Sequence, residues 1–174
     1  MLILLIFSVQ IFSQQKYLSK EDIKNEWSEY TSFQKSELIN HSNLLFNNGK
    51  YEDALLNYFQ FVYLYPNDQL INAAYFKIAK CYEMLKSWDL SINYYQKIIS
   101  SSERGSVNYL SSNYQRLYSL FKIGQFEDII KLPNEDNDPY ILVFKAYAFF
   151  SMLDFENAML TFKSAEAAFD HRYY

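Results

Sequence analysis

Tyr75-Phe76-Lys77-Ile78-Ala79-Lys80-Cys81-Tyr82, closed by Lys86-Ser87-Trp88-Asp89-Leu90-Ser91, decides how this chain folds. The first half is a helical stripe, because Ile78, Tyr82 and Leu85 recur at three and four residues. The second half is a short break, then an aromatic, an acidic and an aliphatic or small residue. That phrase returns as Asn48-Gly49-Lys50-Tyr51-Glu52-Asp53-Ala54, as Ile123-Gly124-Gln125-Phe126-Glu127-Asp128-Ile129 and as Met152-Leu153-Asp154-Phe155-Glu156-Asn157-Ala158. The aromatic steps from Tyr51 to Trp88 to Phe126 to Phe155, spacings of 37, 38 and 29 residues. Their mean is close to the ~34 residues of a helix–turn–helix repeat. Ala54, Tyr58, Phe61 and Tyr65 form a second helical stripe, and Ala54, Ala79, Ser91, Ala146 and Ala158 are small enough for helices to approach closely beside aromatics. No bounded stretch alternates apolar and polar residues, so strands are not needed. One such unit cannot bury its own apolar face, whereas stacked neighbours can. The pattern predicts an all-α stack of helix pairs.

The second unit resembles the tetratricopeptide repeat (TPR) family. Tyr75 to Tyr82 match the large residue, the Leu-Ala pair and the Tyr of that family's helix A, and Trp88, Ser91, Tyr95 and Ile98 match its turn aromatic and helix-B ladder. The first unit supplies Leu45, Gly49, Tyr51, Ala54, Tyr58, Phe61 and the terminating Pro66. The fourth supplies Leu142, Ala146, Phe149, Phe155, Ala158, Phe162 and Ala165. The resemblance covers roughly residues 35–170 and implies a right-handed α-solenoid of about four antiparallel helix pairs, near 35–68, 72–105, 110–138 and 139–170. The chain departs from the family pattern in three ways. His41, Arg116 and Lys145 stand where helix A usually has Leu. Pro133 cuts the second helix of the third unit short, since an interior proline removes a donor and clashes with the preceding turn. The spacings of 37 and 38 imply longer A helices or longer inter-repeat turns.

The apolar run over residues 2–12 is too short to cross a hydrocarbon layer of ~30 Å as a helix. It has the length of a secretory signal core, and Ser13 suits the position before a cleavage point, although no Lys or Arg precedes the run. Residues 1–13 are therefore read as an export signal and the mature chain as starting near Gln14, with an uncleaved anchor or a core segment as alternatives. No Cys stands near the junction to carry a lipid. Ser19-Lys20-Glu21-Asp22 is a capping arrangement that opens an N-terminal helix, placed within 14–34, with Ile23, Trp27, Tyr30 and Phe33 on one face. At the other end the sequence runs directly from the last B helix to Tyr174, so the face carrying Phe162 and Phe169 is expected to be partly open, available to a partner, a second copy or a continuation of the chain. Tyr65-Pro66-Asn67-Asp68, ending a helix pair, looks like periplasmic TPR proteins that coordinate outer-membrane and cell-wall assembly. The expected location is a bacterial periplasm or outer envelope, with no transmembrane span in the mature chain.

Composition narrows the chemistry. Across 174 residues, 16 Lys and Arg stand against 20 Asp and Glu, a net charge of −4 that is no footprint for nucleic acid. A single Cys and two His exclude an intramolecular disulfide and a cysteine-based zinc cluster. Neighbouring His41 and Ser42 point about 100° apart on a helix and form no catalytic pair. Cys81 reads as a small buried hydrophobe. There is no Gly-rich phosphate loop, His-Glu-x-x-His or Cys-x-x-Cys. Glu135-Asp136-Asn137-Asp138 lacks the Gly and terminal Glu that a calcium loop requires. Asn40-His41-Ser42 is a formal glycosylation sequon inside an expected helix. No catalytic residue, metal site or cofactor is expected.

The unusual figure is 20% aromatic, with 17 Tyr and 15 Phe. If the units stack as the resemblance implies, helix-A residues one face around from the core line a concave groove. The residues so placed are Asn43 and Phe46, then Phe76 and Lys80, then Tyr114, Tyr118 and Phe121, then Phe144, Tyr147 and Phe150. Exposed aromatics suit partner surfaces because they offer a large rigid contact, with a polar tip in Tyr. A carboxylate clamp of the kind used by some members is disfavoured: Asn43 fits, but Ile39, Ser111 and Gln115 stand where cations would be. The expectation is a non-enzymatic scaffold for a protein or peptide. The alternative is a homo-oligomer joined through the open C-terminal face.

Overall fold

The computed structural model describes residues 20–134 and 137–172, with side chains from 34 to 170 outside the 135–136 gap. Every regular element among the described residues is a helix. They are α1 (Lys20–Asn47), α2 (Tyr51–Leu64), α3 (Ile71–Met84), α4 (Trp88–Ser101), α5 (Val107–Lys122), α6 (Phe126–Lys131), α7 (Pro139–Ser151) and α8 (Phe155–Arg172). Residues 39–174 form one compact unit, and residues 1–38 fall in another. The export signal expected at 1–13 lies outside the described residues. α1 runs without interruption through position 34, where the sequence reading ended one helix and began another.

The repeated phrase folds the same way four times. Gly49, Lys86, Gly124 and Leu153 each take a left-handed backbone, with φ of 75°, 59°, 74° and 64°. The amide of each donates to the carbonyl three residues back: Gly49 to Phe46, Lys86 to Glu83, Gly124 to Phe121 and Leu153 to Phe150, at 2.9–3.1 Å. The next amide donates five residues back: Lys50 to Leu45, Ser87 to Tyr82, Gln125 to Leu120 and Asp154 to Phe149, at 2.8–3.0 Å. This pair of bonds is the Schellman ending, which satisfies the last carbonyls of a helix through one left-handed residue. The next helix then opens on the turn aromatic with acidic residues in its first turn, where the partial positive charge of a helix N-terminus favours them.

Counting back from those turns gives a common core ladder. Ser42, Ala79, Leu117 and Ala146 are all fully buried on the A helices. Ala54, Ser91, Ile129 and Ala158 are buried on the B helices. A third rung holds Tyr58 and Tyr95, both fully buried, and the half-buried Phe162, but in the third pair it holds the exposed Pro133. Each helix from α2 to α8 packs on the next in the chain, and α3 also meets α5 and α5 meets α7. That is the order of a solenoid, in which A helices line up side by side.

The three departures take different fates. His41 is exposed and Ser42 fills the core position beside it. Lys145 is half-buried, and burial pushes its ammonium below the ordinary lysine range. Arg116 is half-buried where the second unit has the fully buried Ile78. α6 has six residues and stops at Lys131, just before Leu132-Pro133. α7 then opens with Pro139 in its first turn and Asp138 as cap, the Asp138 carboxylate accepting from the Tyr140 amide at 2.8 Å.

Candidate partner-binding surface

The A helices bring part of the expected groove together. Ile39 and Asn43 on α1, Phe76 and Lys77 on α3, and Asn108, Ser111 and Ser112 on α5 line one cleft of about 440 Å³. Leu70, Asn72, Ala73 and Ile98 complete its wall. Asn43 is fixed there because its side-chain oxygen accepts from the Tyr58 hydroxyl at 2.6 Å. Phe76 meets Tyr95 edge-on at 5.5 Å between ring centroids. The lining mixes apolar side chains with amide and hydroxyl groups, a mixture that takes up a chain with both side chains and peptide groups.

Further along the array, Tyr118, Tyr147 and Phe150 are exposed, at 40%, 50% and 55% of their surface. Trp88 backs Tyr118 edge-on at 5.9 Å, and the Lys122 ammonium lies 5.1 Å from the same ring. Phe121 and Phe162 flank Tyr147 at 6.5 and 5.2 Å, both edge-on. Phe155 meets Phe150 at 5.5 Å. These contacts hold the rings in fixed orientations, so little side-chain freedom is left to lose on binding.

Other residues assigned to the groove are largely used internally. Phe46 is half-buried, lies edge-on to Tyr51 at 5.5 Å and sits 4.4 Å beneath the Lys77 ammonium. Tyr114 donates its hydroxyl to Asp138 at 2.7 Å and packs on Tyr140 at 4.9 Å. Phe121 and Phe144 pack against the cluster of Leu117, Leu120, Ile129 and Ala148. Long aromatics one helical face around from a core still reach the neighbouring helix.

Lys80 is the entry point to a polar network that the sequence reading missed. Its ammonium donates to Glu83 at 2.7 Å and to Gln115 at 2.6 Å. Glu83 is buried, accepts from the Tyr95 hydroxyl at 2.8 Å and has Ser119 at 3.5 Å. Ser91 donates to the Ser119 hydroxyl at 2.9 Å, so the network crosses α3, α4 and α5. Burial, and then the Glu83 charge, push the Tyr95 hydroxyl well above the ordinary tyrosine range. The only early signal was an acid at position 83 on the core side of an amphipathic helix.

Cys81 is fully buried against Ala54, Leu55, Tyr58 and Ile78, and burial pushes its thiol up to about 12. A thiol so held is inert as a nucleophile. Among the described residues no group of three or more His, Cys, Asp or Glu is placed to hold a metal ion, and no helix is long and apolar enough to cross a membrane.

A sequence profile for the tetratricopeptide repeat matches residues 73–102, the pair formed by α3 and α4. The chain carries a tetratricopeptide repeat. Thirteen chains among solved structures match the fold of this chain. One of them, described as MamA MSR-1 C2, superposes with a TM-score of 0.58 over 79% of this chain and 77% of its own length, at 15% identity. At that identity the likeness speaks for the fold, a TPR-like helical solenoid. No curated protein sequence matches this chain.

Proposed function

We propose that the chain is a non-enzymatic TPR scaffold that binds a protein or peptide along its helix-A face. The reading is supported by one observation above all: α1, α3 and α5 jointly line a cleft of about 440 Å³, and further along the A helices the rings of Tyr118, Tyr147 and Phe150 are exposed. Neighbouring helices fix this face, so a ligand meets a surface that is already ordered. The place of work is a bacterial periplasm or outer envelope, reached by cleavage of the segment 1–13, and cell-envelope assembly is the setting that reading favours.

Affinity capture from the native host tests the binding face. Tyr118→Ala/Tyr147→Ala removes exposed rings, whereas Phe121 is packed against Phe126 at 5.2 Å and its loss would disturb the fold. The double variant is expected to lose proteins that the unaltered chain retains; recovery of the same set from both would refute the assignment. N-terminal sequencing of the native protein tests export, with a start near Gln14 expected and a retained Met1 against it.

A second reading has its own observation. Phe150, Phe155, Met159, Phe162 and Phe169 line an open apolar groove of about 720 Å³ on α7 and α8. A second copy of the chain would cover this face in a structural homo-oligomer, and Lys163, Glu166 and Asp170 beside it offer charges of both signs for self-complementary pairing. Light scattering decides: a stable dimer lost in Met159→Glu supports self-assembly, and a monomer at micromolar concentration refutes it.

A further inference from the structure

The third helix pair differs from the second at two positions that line one cavity. Where the second pair has Ile78 and Tyr95, both fully buried, the third has Arg116 and Pro133. The aromatic that fills the space beside helix A elsewhere is therefore missing, because α6 ends at Lys131. What remains is a pocket of about 420 Å³ lined by Arg116, Asn113, Tyr109, Arg104, Pro133 and Asn134, with Leu110, Leu132 and Ile141 as apolar walls. The Arg116 guanidinium is held in place by a bond from one terminal nitrogen to the Asn113 side-chain oxygen at 3.2 Å. Its Nε is buried and donates to nothing among the described residues. Burial disfavours its charged form. A cation desolvated this far is normally paired, and an orphaned donor beside it carries a further cost.

We propose that this pocket binds a carboxylate carried on a small apolar body, with Arg116 as its principal contact. A guanidinium offers a planar fork of N–H donors that matches the two oxygens of a carboxylate. Asn113 and Asn134 also line the wall, the Asn134 amide being engaged with the Asp138 backbone, while Leu110, Leu132 and Ile141 accept the apolar body. Asp138 also lines the pocket, and its negative charge weighs against a doubly charged phosphate and toward a single negative charge. The site is separate from the helix-A cleft, which uses Asn108, Ser111 and Ser112 of α5, so either proposal can fail alone.

The test uses the full chain labelled with ¹⁵N and follows amide shifts during titration with benzoate, with acetyl-Ala-Phe bearing a free C-terminus, with the amide of that dipeptide and with inorganic phosphate. Saturable shifts centred on Tyr109, Asn113, Arg116 and Asn134 are expected from at least one carboxylate and not from the dipeptide amide. Tighter binding of benzoate points to a free acid as the ligand, and tighter binding of acetyl-Ala-Phe to a peptide terminus. Arg116→Leu restores the residue type usual at this position, is expected to stay folded by circular dichroism, and should weaken binding by ~10–100-fold. Arg116→Lys keeps the charge without the fork and should fall between the two. Equal binding to Arg116→Leu, no saturable shift from either carboxylate, or tighter binding of phosphate would each overturn the proposal.

Discussion

Replacing Glu83 with alanine tests whether the buried network between the second and third helix pairs stabilises the array. Glu83 accepts from Lys80 at 2.7 Å and from the fully buried Tyr95 hydroxyl at 2.8 Å. The variant leaves the Tyr95 hydroxyl without its acceptor where water does not reach, which costs about 1–3 kcal/mol. Lys80 loses less, because its side chain is 27% exposed and keeps Gln115 at 2.6 Å. With the cavity left by the side chain, the total is about 2–4 kcal/mol. At roughly 2–4 °C per kcal/mol for a chain of this size, the melting midpoint should fall by about 5–15 °C. Thermal and urea unfolding followed by circular dichroism measures it. Tyr95→Phe removes only the hydroxyl and should cost about 1 kcal/mol. In the double variant the two losses should not add, leaving a coupling of about 1 kcal/mol. A loss below about 1 kcal/mol for Glu83→Ala, or full additivity with Tyr95→Phe, would refute the reasoning.

Four further outcomes are expected. Lys86→Gly and Leu153→Gly should each stabilise by about 0.5–1 kcal/mol in urea unfolding, because φ of 59° and 64° strains a side chain that glycine lacks, and Gly124→Ala at 74° should destabilise by about 1 kcal/mol. Asp138→Ala removes the α7 cap and the acceptor of Tyr114, and should cost about 1–3 kcal/mol by the same measurement. Stability should fall as pH rises past about 9. Cys81, pushed to about 12, and Tyr58 and Tyr95, also raised by burial, are protonated in both states below that pH, whereas above it only the unfolded chain releases their protons. A urea midpoint unchanged between pH 8 and pH 10.5 would contradict this. Native chain at pH 8 should leave Cys81 unlabelled by a thiol-reactive dye, with full labelling only in denaturant.

The turns were legible because their determinants are local. A glycine or its substitute two residues before an aromatic, followed by acids, marks both a helix ending and the next helix start, and Gly49, Lys86, Gly124 and Leu153 obey it alike. Pro133 likewise announced the early end of α6. The groove was less legible. Periodicity places Phe46, Phe121 and Phe144 one face from the core, but their length carries them into contact with Tyr51, Phe126 and the α5 and α6 core. The fates of His41, Arg116 and Lys145 also differ although their register is shared. What decides them is the neighbouring helix: a full-length one, or α6 with its missing turns. The role of Glu83 was hidden for the same reason, since its partners Tyr95 and Ser119 lie 12 and 36 residues away in sequence.

The brevity of α6 also has a mechanical meaning. In a linear stack each unit is held only by its neighbours, so the array is as strong as its thinnest joint. Six residues of helix leave little to clasp α7 and α8 onto what precedes them, while α2 to α5 interlock through full-length partners. Under load or heat the chain should part at that seam, shedding its last hairpin while the earlier pairs hold. It is a fuse built from one proline.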